Sequence, residues 1–328
     1  MSDFYFSNIV LIQSTFTVLL LALSIQIQFR MGVFSFAGAA FYGMGSYGVA
    51  ILVLHYDFGA LPALAAIVVI CAVVGYLLSL VVQRLSGLYL AMATVAFVMI
   101  VTVVAHNGGT LTGGSVGLFG VLTPVEISVP HLAVVCAIVV AAMIVSERGA
   151  MGRRIEAVRE DPELASAMGI NVARYRKMSF VLSGVLGALG GGLNILMMTA
   201  IAPENIGFPL IVLALTIIIV GGSRSWIGVL IGALIFTWLP VVLEQVGTYQ
   251  SIVYGVIVAI AAIFMPGGIT GIVTDLYRRR SARLNADALG SDELLEARAA
   301  EKDAEDAAEL QAELASSGAP TITSGDPR

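Results

Sequence analysis

Long apolar runs separated by short polar breaks dominate the chain. They cover residues 8–29, 33–54, 61–82, 88–105, 130–146, 179–200, 208–221, 227–243 and 251–265. A hydrocarbon core about 30 Å thick is crossed by about 20 apolar residues of helix, each rising about 1.5 Å. The pattern therefore predicts an all-α polytopic membrane protein with about nine transmembrane helices, within a range of eight to ten because the seventh and ninth runs are short. Barrel strands are excluded by the length and continuity of the runs, which do not alternate. Pro62, Pro130, Pro209 and Pro266 fall at or near run ends, where a missing backbone donor does little harm.

Composition agrees, since 58% of the 328 residues are hydrophobic and 12% charged, half the charge of an ordinary soluble domain (~25%). Only Asp3, Arg30, Asp57, Arg84 and Glu126 are charged before residue 147, whereas residues 278–328 hold 7 Lys/Arg and 11 Asp/Glu. The net charge of −5 thus reports mainly the tail and excludes little. Alternating the spans outward from a cytoplasmic Glu163 puts all 17 basic residues on one side, Arg30, Arg84, Arg224 and Arg278 to Arg280 included. The opposite loops hold Asp3, His55, Asp57, Glu126, Glu204 and Glu244. By the positive-inside rule this expects the N-terminus outside and the C-terminus inside. The first residues, MSDFYFSN, lack the positive segment of a cleavable signal, so the first span is expected to be retained. Residues 1–277 form the expected membrane domain, with a cytoplasmic loop over 147–178. Residues 278–328 form a charged, partly disordered cytoplasmic tail, with an Ala/Glu/Leu-rich segment over 291–315 that suits a polar helix.

The spans carry no ionisable group near their centres, which disfavours ion-coupled transport. No GxxxxGK[ST] phosphate loop, HExxH or Ser/His/Asp set is present, so ATP binding through such a loop, metal binding and hydrolytic chemistry by this chain are not expected. Cys71 and Cys136 lie inside spans and read as buried apolar residues. Small residues recur at spacings of four: Ser35, Ala39 and Gly43; Ser183, Gly187 and Gly191; Gly228 and Gly232. Such spacing lets helix backbones approach closely. Glycines in FAGAAFYGMGSYG and LGALGGGLN are also dense enough to kink or unwind a helix and so line a path. Asn194, beside Gly190 to Gly192, is a candidate polar group on such a path, and a helix–helix hydrogen bond is an equal reading. GGTLTGGSVGL, residues 108–118, reads either as a surface loop or as a loop dipping back toward the membrane.

One polar stretch, VREDPELASAMGINVARYRK over residues 158–177, interrupts the oily pattern. Asp161 can cap a helix start, Pro162 suits the first helical position and Glu163 favours the positive end of the dipole. Gly169 suits a left-handed position just past the end. The pattern predicts a helix over 162–168, too short to be stable alone in water. Leu164, Ala165, Ala167 and Met168 offer an apolar surface by which it can pack. Arg153, Arg154, Arg159, Arg174, Arg176 and Lys177 bracket it, and anchorage to anionic lipid accounts for them but not for the capped helix.

Glu163-Leu164-Ala165-Ser166-Ala167-Met168-Gly169 resembles the Glu-Ala-Ala-x-x-x-Gly pattern in the cytoplasmic loop of ATP-binding-cassette importer permeases. GRRIEAVREDPELASAMGINVARYRKMSFVLSGVLGALGGGL is similar to the branched-chain amino acid permease subfamily, as are GGSVGLFGV (residues 113–121) and GGSRSWIGVLIGALIFTWLPVVLE (residues 221–244). The likeness runs from about residue 31 to about residue 270. Departures include Leu164 at the second motif position, Ala37 and Gly38 without a following His in MGVFSFAGAAF, Val116, Val229 and the turn Met265-Pro266-Gly267-Gly268.

The resemblance implies an inner-membrane permease subunit of bacteria or archaea, paired with a second related permease and two cytoplasmic ATPase subunits. An extracytoplasmic binding protein delivers the substrate. Membrane lipid surrounds the chain, nucleic acid has no part, and ATP and magnesium belong to the partner subunits. In such importers the short loop helix docks in a groove of the ATPase, which assigns coupling to Asp161, Pro162, Glu163, Leu164, Ala165, Met168 and Gly169. Gly114, Ser115 and Asn194 become candidates for the translocation path, and Gly43, Gly187, Gly191, Gly228 and Gly232 for helix packing. Branched-chain or other hydrophobic amino acids are the implied substrates, with urea, short amides and aromatic acids carried by related permeases. From a different class, a self-sufficient channel with a lipid-anchored loop is the other reading.

Overall fold

The computed structural model describes residues 8–122, 128–223 and 225–264, together with 268, 269 and 271. Asp3, Glu126, Arg224, residues 265–267 and the tail from 278 onward lie outside the described residues. The chain divides into two units, Met1–Ile272 and Val273–Arg328, and everything below concerns the first.

The helices are α1 (Ile9–Arg30), α2 (Ala37–Tyr56), α3 (Ala60–Val81), α4 (Gly87–Asn107), α5 (Val129–Glu147), α6 (Gly149–Glu160), α7 (Pro162–Ala167), α8 (Val172–Met198), α9 (Phe208–Gly221), α10 (Trp226–Leu243) and α11 (Gln250–Phe264). Two short strands, β1 (Leu118–Phe119) and β2 (Ala200–Ile201), pair antiparallel with Leu118 opposite Ile201. Among the described residues eight helical segments are long and apolar enough to cross a membrane, α9 counting with the 3₁₀ turn Pro203–Ile206 before it. The ninth expected span corresponds to α11, which has only 15 residues and contains a shorter apolar stretch, Ile252–Ala261. The chain is an all-α polytopic membrane protein.

The core lies around α8. This helix packs at once against α1, α2 and α3, and small residues make that possible. A methyl group on Gly187 would lie 2.8 Å from the Gly38 carbonyl oxygen and from Phe41 Cβ, and one on Gly191 would collide with the Tyr42 carbonyl. Ser46 Oγ donates to the Gly191 carbonyl at 2.9 Å in the same seam. Gly43, on α2, instead faces Ile206 of the 3₁₀ turn at 3.1 Å. Between α9 and α10, Gly221 abuts the Gly228 carbonyl, and Gly232 would place a methyl 2.7 Å from the Ile217 carbonyl. Gly43, Gly187, Gly191 and Gly232 thus sit at close approaches, and Gly228 is met by Gly221. The glycine-dense stretches do not break their helices, however: α2 and α8 run uninterrupted. Glycine's missing side chain is used for close contact there.

Two helix starts also differ from expectation. The second begins at Ala37, not 33, because residues 33–36 are non-helical and their end is held by side-chain hydrogen bonds. The Phe36 N–H donates to the buried Thr94 hydroxyl of α4 at 3.0 Å, and the Ala37 N–H to Ser35 Oγ at 3.2 Å. Helix α8 begins at Val172, not 179, because Asn171 Oδ1 accepts the Arg174 N–H at 3.0 Å and starts the helix early. Its first two turns therefore carry Arg174, Arg176 and Lys177. Cys71 and Cys136 are both buried and unpaired.

Candidate functional site

Helices α6, α7 and α8 follow one another with almost no loop between them. Asp161 ends α6 and caps α7: its Oδ1 accepts the N–H groups of Glu163 and Leu164, each at 3.0 Å. Pro162 occupies the first helical position, as expected from a residue without a donor. The other end of α7 closes with Gly169 at φ +82°. The Gly169 N–H donates to the Ser166 carbonyl and the Ile170 N–H to the Ala165 carbonyl, both at 3.0 Å. These are the two bonds of a Schellman ending. Asn171 caps α8 immediately afterward. A six-residue helix is unstable alone, and here local bonds brace it at both ends.

The apolar surface expected of α7 splits in two. Ala165 is 1% exposed and packs inward, where α7 meets α6, whereas Leu164 is 58% and Met168 72% exposed. Ala167 and Glu163 are exposed as well. Of the seven residues singled out, Asp161, Pro162 and Gly169 shape the helix and Ala165 seats it. Glu163, Leu164 and Met168 remain facing solvent.

Helix α6 ties this element to the membrane bundle. Its Ile155 and Val158 are both buried, Ile155 within the core cluster. At the turn after α1, Gly32 has φ +71°, and a methyl there would lie 3.2 Å from Arg159 Cα and 3.3 Å from the Val158 carbonyl. Arg159 Nη2 donates to Ser223 Oγ at 3.3 Å, in the turn between α9 and α10. From α1, Gln26 Nε2 donates to the Ser223 carbonyl at 3.4 Å. Nearby at the same end, Arg30 closes α1 and pairs with Glu147 at the end of α5, N to O 3.1 Å. Sequence reasoning counted Arg159 among the bracketing arginines and missed Gly32, Gln26 and Ser223. Their partners are up to 197 residues away, and no local pattern marks them.

Gly114 and Ser115 lie at the opposite end, in the turns after α4. Ser115 Oγ hydrogen-bonds His106 Nε2 at 3.1 Å, and Gly114 has φ +58°. The β1–β2 pairing holds this segment against the residues after α8, with Thr112 buried beneath it. These contacts tie the segment down. Asn194 is not part of it: within α8, its Oδ1 accepts from Thr17 Oγ1 of α1 at 3.4 Å. This bond joins α1 to α8. Among the described residues no three His, Cys, Asp or Glu side chains gather as a metal site would require.

The family model described as "Branched-chain amino acid transport system / permease component" matches residues 8–262. The high-affinity branched-chain amino acid transport system permease protein LivM of Salmonella typhimurium is 22% identical over 279 residues, covering 75% of this chain and 66% of its own length. LivM of Escherichia coli is 23% identical over 261 residues, covering 70% of this chain and 61% of its own. The chain therefore spans less than two thirds of the length of either. The ribose import permease protein RbsC of Escherichia coli is 26% identical over 232 residues, covering 66% of this chain and 72% of its own. No solved structure matches significantly. The long apolar helices and the bacterial and archaeal relatives make this a multi-pass protein of the cytoplasmic (inner) membrane. A bundle of long apolar helices and a family match over most of that bundle lead to one conclusion: the chain belongs to the branched-chain amino acid transport system permease component family.

Proposed function

We propose that this chain is the membrane-spanning permease of an ATP-driven importer and that α7 is the handle by which a separate ATPase moves it. The end bearing α6 and α7 faces the cytoplasm in this reading, with the N-terminus outside. Two ATPase subunits, a second permease and an extracytoplasmic binding protein complete the machine. The observation that carries the reading is the state of α7: braced at both ends, seated by Ala165, yet presenting Leu164 and Met168 to solvent. Large apolar side chains held outward on a rigid short helix are what a groove in a partner would receive.

Branched-chain or other hydrophobic amino acids are the proposed cargo. The family description and the two LivM relatives support that class, while the similarity to a ribose permease makes sugar uptake the natural control.

The test is co-purification in mild detergent with the ATPase and second permease encoded beside this chain, followed by leucine and ribose uptake in proteoliposomes with the binding protein. Wild type is expected to retain the ATPase and take up leucine. A Leu164→Glu/Met168→Glu variant should insert normally and lose both, because neither side chain is buried in the chain itself. Undiminished ATPase retention by that variant would sink the docking claim, and solute flux through this chain alone would replace the importer by a channel.

A further inference from the structure

Two surface depressions meet where α8 leaves the polar segment, and their chemistry changes from one to the next. The first, about 710 Å³, lies between the start of α6, the Gly169 turn and the start of α8, with Arg154 and Arg174 on its walls. The second, about 520 Å³, shares Asn171, Arg174 and Met178 with it and continues past Lys177 to Val181 and Leu182 of α8, flanked by Tyr76 of α3. No Asp or Glu lines either one. Arg154, Arg174 and Lys177 have no ion-pair partner among the described residues.

Depth along α8 distinguishes the two. With 27 residues this helix is longer than a bilayer core requires, by about 7 residues at about 1.5 Å each. The excess falls on the first two turns, which carry Arg174, Arg176 and Lys177. Those cations therefore stand at headgroup depth, while Val181 and Leu182 are already at hydrocarbon depth. A soluble protein can reach the first depression but not the second. A neighbouring helix can fill the second but has no use for three unpaired cations. An amphiphile with an anionic head and an acyl chain fits both.

We propose that this continuous groove binds one anionic phospholipid, with its phosphate among Arg154, Arg174 and Lys177 and an acyl chain along Met178, Val181 and Leu182 against Tyr76. Guanidinium groups bind phosphate through paired charge-assisted hydrogen bonds, and cations near a membrane surface favour anionic lipid additively. The site requires only that α8 spans the membrane and stands whether or not α7 docks an ATPase. A lipid seated there touches Met168 and Gly169 as well as α8, and so bears on the element that links α7 to the core.

The full chain, purified and delipidated in nonionic detergent, is titrated with phosphatidylglycerol or with phosphatidylcholine of the same chain length, and native mass spectrometry counts bound lipid. One phosphatidylglycerol is expected to be retained on the order of tenfold better than phosphatidylcholine. Arg154→Gln/Arg174→Gln should bring the two lipids close to parity. Val181→Trp, which blocks the acyl channel and leaves the cations, should weaken phosphatidylglycerol retention, and Arg153→Gln, outside the lining, should change nothing. Equal retention of both lipids by wild type, or an unchanged preference in the double variant, overturns the proposal. Displacement of the bound lipid by millimolar inorganic phosphate would also overturn it, by assigning the cations to a free anion. Should the double arginine variant not fold, Lys177→Gln and Val181→Trp carry the same decision, and wild-type retention by both is refuting.

Discussion

Gly169 separates backbone conformation from packing unusually cleanly. Its φ is +82°, yet a methyl group built on it meets no atom within 4 Å. A substitution there costs only the left-handed conformation, roughly 1 kcal/mol for Ala and roughly 2 kcal/mol for Val, whose branched Cβ crowds the following carbonyl. Asn tolerates that region and should cost a few tenths. At about 1.4 kcal/mol per tenfold, the ratio of ordered to frayed α7 should fall about fivefold with Gly169→Ala and about thirtyfold with Gly169→Val. The Ile170 N–H, which closes the helix on the Ala165 carbonyl, is the direct reporter. Its hydrogen exchange should accelerate in the order wild type, Asn, Ala, Val. ATP-driven uptake should decline in the same order while insertion and bundle stability hold, since no core contact is lost. Ile170 exchange in Gly169→Val as slow as in wild type would refute the argument, as would Gly169→Asn failing as badly as Val.

The other end of α7 and the centre of the bundle give contrasting outcomes. Asp161→Ala removes the acceptor of two N–H groups and should cost about 1 kcal/mol of local helix, read as faster Glu163 and Leu164 amide exchange. Asp161→Asn, which keeps the acceptor, should stay near wild type, and equal exchange in the two would remove Asp161 as a cap. Gly191→Ala should behave oppositely to any α7 variant. Its methyl must displace the Tyr42 carbonyl, so α2 and α8 must separate at a cost of about 1–3 kcal/mol, seen as a lower Tm in detergent. An unchanged Tm would mean the seam is looser than the geometry indicates.

Which features could be read from the chain follows from how local their causes are. Eight of the nine expected spans were legible because hydropathy alone decides whether a segment of about 20 residues enters a bilayer, and the ninth run was too short for that rule to decide. The α7 helix was legible because Asp161, Pro162 and Gly169 act on backbone groups within a few residues. The start of α2 was not, since its cap, Thr94, lies 58 residues downstream. The strands β1 and β2 have two residues each, too few to show an alternation, and they pair across more than a whole helix of intervening chain. The glycine-dense stretches were ambiguous in principle. A glycine that weakens a helix and one that admits a neighbouring backbone are the same residue, and only the neighbour at Gly187 or Gly191 decides.

The contacts around α7 bear on the proposed coupling, because they tie a short exposed helix to a large bundle. After Gly169, Asn171 caps α8 at once, so no slack separates α7 from the helix that touches α1, α2 and α3 together. Before Asp161, α6 is fixed at two points: its buried Ile155 lies in the core, and Arg159 reaches Ser223 in the α9–α10 turn. Ser223 is itself held from α1 through Gln26. Under the proposed coupling, a displacement of α7 would pass along two arms, one into the centre of the bundle and one into the α9–α10 pair. A loop with flexible flanks would absorb the same push. Close-packed interfaces respond to a small shift by moving as units, because backbones in contact at Gly187, Gly191 and Gly32 leave no compressible space between them. The glycines that looked like points of weakness are thus the places where the structure is least able to yield.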